Sequence, residues 1–253
     1  MAALDPCYRE GPHAFSPVMT TGVILQPSYI PWRGFFDLVH DADVFVFYDD
    51  VQYDKHGWRN RNRIKTAQGT QWLTIPVRAK GNVSSGLLVK DAEIASTPDW
   101  AKKHPQSIRQ SYARAPFFKE IFPAVEALYA TRSEKLADFT IETTIALARL
   151  LGITHTRFVR SSELGVEGGK TERLVEIMKH VGADRYLSGP SARDYVDASL
   201  FESAGITLDY KTYAYPEYDQ LHPPYDPQVS ILDLLFMHGR DAPGLIWGAE
   251  PLP

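Results

Sequence analysis

The densest run of chemically able side chains in this chain is Gln52, Lys55, His56, Trp58, Arg59, Asn60, Arg61, Asn62, Arg63 and Lys65. Clustered cations repel one another, so the run calls for an anionic partner, and arginine forks bind phosphate or carboxylate in a bidentate way. Asn60 and Asn62 can orient hydroxyls or amides, and Trp58 offers a face to a sugar or a base. The competing reading is a solvated hairpin face. Just upstream stand two carboxylates, Asp49 and Asp50, able to bind a metal, act as a base or hold an amine. Consecutive strand residues point to opposite faces, so one of the two would face a crevice. The alternative is a polar strand end, and two carboxylates without a third ligand are weak grounds for a metal. Asp49, Asp50, Lys55 and His56 are the catalytic candidates, with no metal site among them.

Two further stretches complete the candidate site. Gln26-Pro27-Ser28-Tyr29-Ile30-Pro31-Trp32-Arg33-Gly34 is a loop leading into a helix N-terminus, where free N–H groups and the dipole favour an anion. Gln26, Pro27, Tyr29 and Trp32 are its binding candidates. Ser188-Gly189-Pro190-Ser191 repeats the arrangement before a second helix, and two such N-termini would suit a diphosphate. His56 and His222 are the candidate proton carriers, although a lone loop histidine is usually structural or surface. There is no glycine-rich dinucleotide fingerprint, no HExxH and no G-x-S-x-G, and Cys7 lies far out in a tail-like stretch. Acyl transfer through a covalent enzyme intermediate is therefore disfavoured, and direct attack by a bound amine aided by a general base is the simpler chemistry.

The elements that must hold these groups follow from periodicity. Gly22–Leu25 and Val44–Tyr48 read as short apolar strands buried on both faces, with a helix of about Phe35–His40 between them. That is a βαβ unit, which implies a right-handed crossover and parallel pairing. Ligands of such sheets sit beyond the carboxyl ends of the strands, so Gln26-Pro27 and Asp49-Asp50 are expected to converge on one crevice. Arg59–Thr66 and Gln71–Val77 flank a glycine-containing connection and predict a hairpin. Period two places Arg59, Arg61, Arg63 and Lys65 on one face, with Trp58, Asn60, Asn62 and Ile64 on the other. Val89–Ile94 reads as an edge strand and Lys80–Ser85 as a loop.

Helices are expected over about 100–112, 118–130 and 135–151, with Thr97-Pro98 as the start of the first. The rest returns to α/β order: strand 156–160, helix 170–181, strand 185–188, helix 194–204, strand 208–211, a Tyr/Pro/His-rich loop over 213–227, and a closing helix 230–239. Ser230 and Asp233 have the spacing of a capping box. The fold class is α/β: a Rossmann-like three-layer sandwich with a mostly parallel sheet, a β-hairpin and a helical insert over about 98–150. Residues 1–20 read as a poorly ordered extension, 21–240 as a single domain and 241–253 as a tail.

Composition narrows the function classes. The 253 residues are 44% hydrophobic and 23% charged, enough for a buried core and a soluble globule. A net charge of −4 argues against broad nucleic-acid or anionic-membrane binding. The basic cluster is thus local, and suits a small anionic substrate. A single cysteine excludes an internal disulfide framework and any multi-cysteine zinc site, and fits the cytoplasm. No run approaches the ~20 apolar residues of a membrane helix, and the N-terminus lacks signal-peptide order.

Q-P-S-Y-I-P-W-R-G-F-F-D-L followed by D-D-V-Q-Y-D-K-H-G-W-R-N-R-N-R-I-K resembles the opening of the WbqC-like proteins. The later K-T-E-R-L, Y-L-S-G-P-S-A-R-D-Y and S-I-L-D-L-L resemble that family's remaining motifs, so the likeness spans about Gly22 to Gly239. It implies a product of surface-polysaccharide or natural-product gene clusters. It also implies amide-forming transfer of an aminoacyl or acyl unit from a carrier thioester to an amino sugar or comparable amine; no cofactor is expected. A carrier protein then becomes an expected partner. Gln26, Pro27, Asp49, Asp50, Gln52, Lys55, Trp58, Asn60, Arg61, Asn62, Arg63, Lys170, Gly189, Pro190, Ser191, Ser230 and Asp233 occupy family-motif positions. The first βαβ unit is also similar to a nucleotidyltransferase half, but its loop has no histidine for a triphosphate. An ATP- and Mg²⁺-dependent nucleotidyltransferase or ligase, and a non-enzymatic docking module, are the alternatives.

Overall fold

Five short strands set the architecture. In the computed structural model, which describes residues 19–55, 57–78, 86–96, 99–130 and 133–248, β1 (Thr21–Leu25), β2 (Val44–Phe47), β5 (Arg157–Arg160), β6 (Arg185–Ser188) and β7 (Thr207–Tyr210) form one sheet in the order β5-β2-β1-β6-β7. Every pairing is parallel. A separate antiparallel hairpin joins β3 (Arg61–Thr66) to β4 (Gly69–Thr74). The helices are α1 (Arg33–Asp41), α2 (Trp100–Tyr112), α3 (Phe118–Leu128), α4 (Leu136–Leu150), α5 (Lys170–Val181), α6 (Ala198–Ser203) and α7 (Ile231–His238).

The inner strands β1, β2 and β6 are buried on both faces because both are covered, while the edge strands β5 and β7 are partly exposed. Val23, Phe45, Phe47 and Leu187 point to the larger core, where they meet Phe35, Phe36, Leu38 and Val39 of α1 and Phe139 and Leu147 of α4. Ile24, Val44, Val46 and Tyr186 point the other way, onto Leu174, Ile177 and Met178 of α5 and Phe201 of α6. Period-two alternation thus sorts one sheet into two cores. Gly22 is where α5 comes closest: a Cβ there would overlap the Met178 side chain.

Counting only the parallel strands in chain order, the sheet runs third, second, first, fourth, fifth. The chain leaves β1 over one face through α1, and later enters β6 from the opposite face through α5. This is the doubly wound, Rossmann-like arrangement, and its strand order reverses between β1 and β6.

The hairpin lies against the larger core through Ile64 and Leu73. Its β3 is tied to α2 and α7, because the Lys65 N–H donates to Tyr112 Oη at 2.8 Å and the Ser230 N–H donates to the Arg63 carbonyl at 2.9 Å. The long segment after β7 is strapped across α1. Arg33 donates to the Pro216 carbonyl and Tyr225 Oη, at 2.9 and 2.7 Å, and Lys211 bridges Asp37 and Asp41 at 2.8 and 2.7 Å.

Several sequence expectations are corrected in detail. Val89–Asp91 is a 3-10 turn, with only isolated bridges at Glu93 and Ile94, in place of an edge strand. The helix expected over 194–204 is a 3-10 turn, Pro190–Asp194, followed by the short α6. Ser230 does cap α7, accepting from the Leu232 N–H, but Asp233 does not complete a box. Its carboxylate instead accepts from Tyr112 Oη and Tyr218 Oη, each at 2.9 Å. Thr97-Pro98 and the Lys80–Ser85 loop lie outside the described residues, as do Cys7 and most of the N-terminal extension.

Candidate functional site

A crevice of about 520 Å³ opens at the reversal point, beyond the carboxyl ends of β1 and β6. Loops leaving two adjacent strands for opposite faces of a sheet leave a gap between them, and in open α/β sheets that gap is where ligands bind. The wall built by β1 and α1 is apolar: Leu25, Pro31, Trp32, Phe35 and Leu38. Trp32 turns back over Gly34, where a Cβ would overlap the indole, and its ring meets Tyr213 edge-on with centroids 5.0 Å apart. Trp58 and Arg59, from the segment leading into the hairpin, and Asn62 of β3 also line the crevice. Gly189, Pro190 and Ser191 close the β6 side, and Pro227 and Gln228 belong to the long loop.

Arg59 is the charged side chain among the described lining residues. Its Nη1 donates to the Gln26 carbonyl at 3.2 Å and to the Pro27 carbonyl at 3.5 Å, while Nε is buried without a hydrogen-bond partner. Desolvation weakens its hold on the proton, lowering its pKa to about 10 against the attraction of Asp54 and Tyr53. It remains a cation at neutral pH, in surroundings that would gain from an anion.

The neighbouring polar residues divide by strand parity. Asn60 donates to the Ile75 carbonyl at 2.8 Å, and Asn62 donates to the Tyr29 and Ile30 carbonyls at 3.0 and 2.8 Å. Both asparagines are buried backbone clamps, and Asn62 holds Ile30 at φ 37, a region a β-branched residue seldom adopts. Arg61 and Arg63 lie on the outer face. Arg61 Cζ is 4.5 Å from the centroid of Trp72, and Arg63 Cζ is 5.6 Å from Trp72 and 5.9 Å from Trp58. Arg63 also donates to Gln228 Oε1 at 3.0 Å and pairs with Asp226 at 3.7 Å. Trp58, expected to share a face with the asparagines, is instead 41% exposed and lies 5.4 Å from Trp72, because it precedes β3 in a bent segment that breaks the alternation.

The other candidates scatter. Asp49 and Asp50 are not among the crevice-lining residues. Asp49 is fully buried at the end of β2, and its carboxylate accepts from the Ser162 N–H at 3.1 Å and Ser162 Oγ at 2.9 Å. Asp50 accepts from Ser161 Oγ and pairs with Arg173 of α5, both at 2.6 Å. Tyr29 is enclosed, with its hydroxyl 2.5 Å from Tyr129 Oη and 2.8 Å from His104 Nδ1. Pro27 is buried, and Ser188 donates to Tyr186 Oη at 3.2 Å. His222 contacts the Ser111 carbonyl at 3.2 Å. Gln52, Lys55 and Lys170 are exposed, and His56 lies outside the described residues. Of the candidates, then, Gln26, Trp32, Trp58, Asn62, Gly189, Pro190 and Ser191 meet around one cavity.

Arg59, Phe35, Leu38, Tyr213 and Gln228 line the cavity without having been singled out as site residues. Arg59 carried a signal, since it belongs to the same Arg–Asn alternation as Arg61 and Arg63. Tyr213 lies in the aromatic loop, of which only His222 was weighed. Phe35 and Leu38 read as core, which they also are. Among the described residues, no group of three or more His, Cys, Asp or Glu is placed to hold a metal ion, and no helix is long and apolar enough to cross a membrane.

A doubly wound α/β protein with an amphipathic crevice at its switch point is the class that fold and site define. Within that class the chain belongs to the WbqC-like protein family, which matches residues 26–244. It is also 42% identical over 222 residues to a Mycobacterium tuberculosis protein named "Uncharacterized protein Rv1507c", a match covering 87% of this chain and 94% of that protein. No solved structure matches the chain.

Proposed function

We propose that this protein is a transferase that forms an amide, moving an acyl or aminoacyl unit from a carrier thioester to an amine such as that of a nucleotide-linked amino sugar, in polysaccharide or natural-product biosynthesis. The observation that supports it best is the position of Arg59, a desolvated cation in a crevice where doubly wound folds bind substrates. A guanidinium there can polarise the thioester carbonyl and stabilise the oxyanion that develops on it. Trp58 at the rim, with Arg63 beside it, offers a stacking face and positive charge to a nucleotide acceptor. The amine nitrogen then forms the C–N bond as the C–S bond breaks, and the departing thiolate takes up the proton the amine releases. Holding the reactants together is the protein's main contribution in this scheme.

Thermal-shift measurements with a uridine- or thymidine-diphosphate amino sugar test the acceptor side. Bound ligand raises the melting temperature by mass action, so the nucleotide sugar should stabilise the wild-type chain and fail to stabilise Trp58→Ala. Stabilisation by ATP–Mg²⁺ with no response to the nucleotide sugar would favour a ligase instead. Mass spectrometry of the nucleotide sugar incubated with a thioester donor then reads the amide directly.

A further inference from the structure

The crevice combines an apolar lining with a single cation, and that combination constrains which acyl unit fits. Leu25, Pro31, Trp32, Phe35, Leu38 and Tyr213 supply apolar surface, and Arg59 is the charged group among the described lining residues. No Asp or Glu is among the described lining residues, and Asp54, which attracts Arg59, is not one of them, so an α-ammonium group would enter beside a partly buried cation with no carboxylate lining the cavity. The Nε of Arg59 is buried without a hydrogen-bond partner, as are those of Arg33 and Arg63, so the protein leaves the hydrogen-bonding capacity of this guanidinium partly unused. We infer that the crevice is an acyl-chain pocket, selective for an uncharged alkyl or aryl chain whose carboxyl or carbonyl oxygen faces Arg59, and that it discriminates against aminoacyl units. This rests on the crevice being the substrate site of the proposed transferase, and chooses between the two donor types that proposal leaves open.

A binding series on the full-length wild-type chain tests it, followed by tryptophan fluorescence since Trp32 and Trp58 both line the cavity. The probes are acetate, butyrate, hexanoate, 3-phenylpropanoate, glycinate and hexylammonium. Burying a methylene is worth ~0.8 kcal/mol, or about fourfold in affinity. Hexanoate should therefore bind roughly 15-fold more tightly than butyrate, by the same scaling. Glycinate and hexylammonium should not saturate where hexanoate does. Leu25→Trp, which adds bulk to the apolar wall, should flatten the chain-length dependence; the wild-type series decides the matter even if that variant does not fold. Equal affinity from acetate to hexanoate overturns the inference, as does hexylammonium binding as well as hexanoate. The outcomes separate from those of the transferase proposal. A steep chain-length series without amide formation removes the transfer step and leaves the pocket assignment. Amide formation from a glycyl donor with a flat series removes the pocket assignment and leaves the transferase.

Discussion

Asp49 is a fully buried ionisable group and Arg59 a partly buried one, and their surroundings differ in kind. The Asp49 carboxylate is engaged by a backbone N–H and a hydroxyl of the Ser161–Ser162 turn, so its position is explained by what it holds. Arg59 has two weak backbone acceptors, the attraction of Asp54, an unpartnered Nε and an open cavity beside it. A buried charge that is well bonded reads as architecture, and one that is poorly bonded at a crevice reads as function. Replacing Asp49 by Ala should cost about 3 kcal/mol of stability, because the Ser162 donors lose their charged acceptor. Chemical denaturation measures this, and a loss under about 1 kcal/mol would mean that the turn does not depend on the carboxylate. Arg59→Gln should instead leave the denaturation midpoint near the wild-type value and reduce hexanoate binding at least tenfold, since hydrogen bonds to charged groups are worth about 1.5–3 kcal/mol.

At the scale of elements, the loop from Gln26 to Trp32 is held from outside itself. Asn62, reaching across from β3, satisfies the carbonyls of Tyr29 and Ile30, and the Tyr29 N–H donates to the Trp58 carbonyl at 3.0 Å. The hairpin is therefore a clamp on the crevice wall as well as part of it. Asn62→Ala should destabilise the protein by about 2 kcal/mol through two orphaned carbonyls. It should also weaken ligand binding disproportionately, since the loop it releases lines the cavity. A urea titration and a hexanoate titration on the same variant check both, and unchanged affinity would show that the loop keeps its shape without the clamp. Sequence alternation correctly separated Asn62 from Arg61 and Arg63 within β3. It failed at Trp58 and Arg59, which precede the strand in a bent segment, because the period-two rule holds only where the backbone is extended, and Lys65, expected beside the arginines, is buried.

Over the whole molecule, the same loop is tied to the α2–α4 layer through Tyr29, His104 and Tyr129, and this gives a handle on global stability. Burial lowers the His104 pKa to about 4, with the Thr74 backbone opposing the shift. The unfolded chain would take up a proton near the ordinary histidine value of about 6.5. Stability from this group is thus fully present above pH 6.5 and falls as the pH drops from there toward 4, by at most about 3 kcal/mol. Melting curves from pH 7 to 4.5 should show this decline, with His238, also lowered by burial, adding to it. His104→Gln should flatten it, and an identical slope in that variant would assign the effect elsewhere. What the sequence by itself determined were the local elements: the strands expected at 22–25, 44–48 and 185–188 formed at 21–25, 44–47 and 185–188, and helix 170–181 fell at its expected boundaries. These follow from side-chain period and from terminal residues, which act over a few positions. The tertiary structure alone decided that β1 sits between β2 and β6, and so that Gln26 and Gly189 line one cavity while Asp49 and Asp50 meet the Ser161 turn. Strand order is fixed by which helices cover which face over separations of more than a hundred residues, and no local periodicity encodes a neighbour that distant.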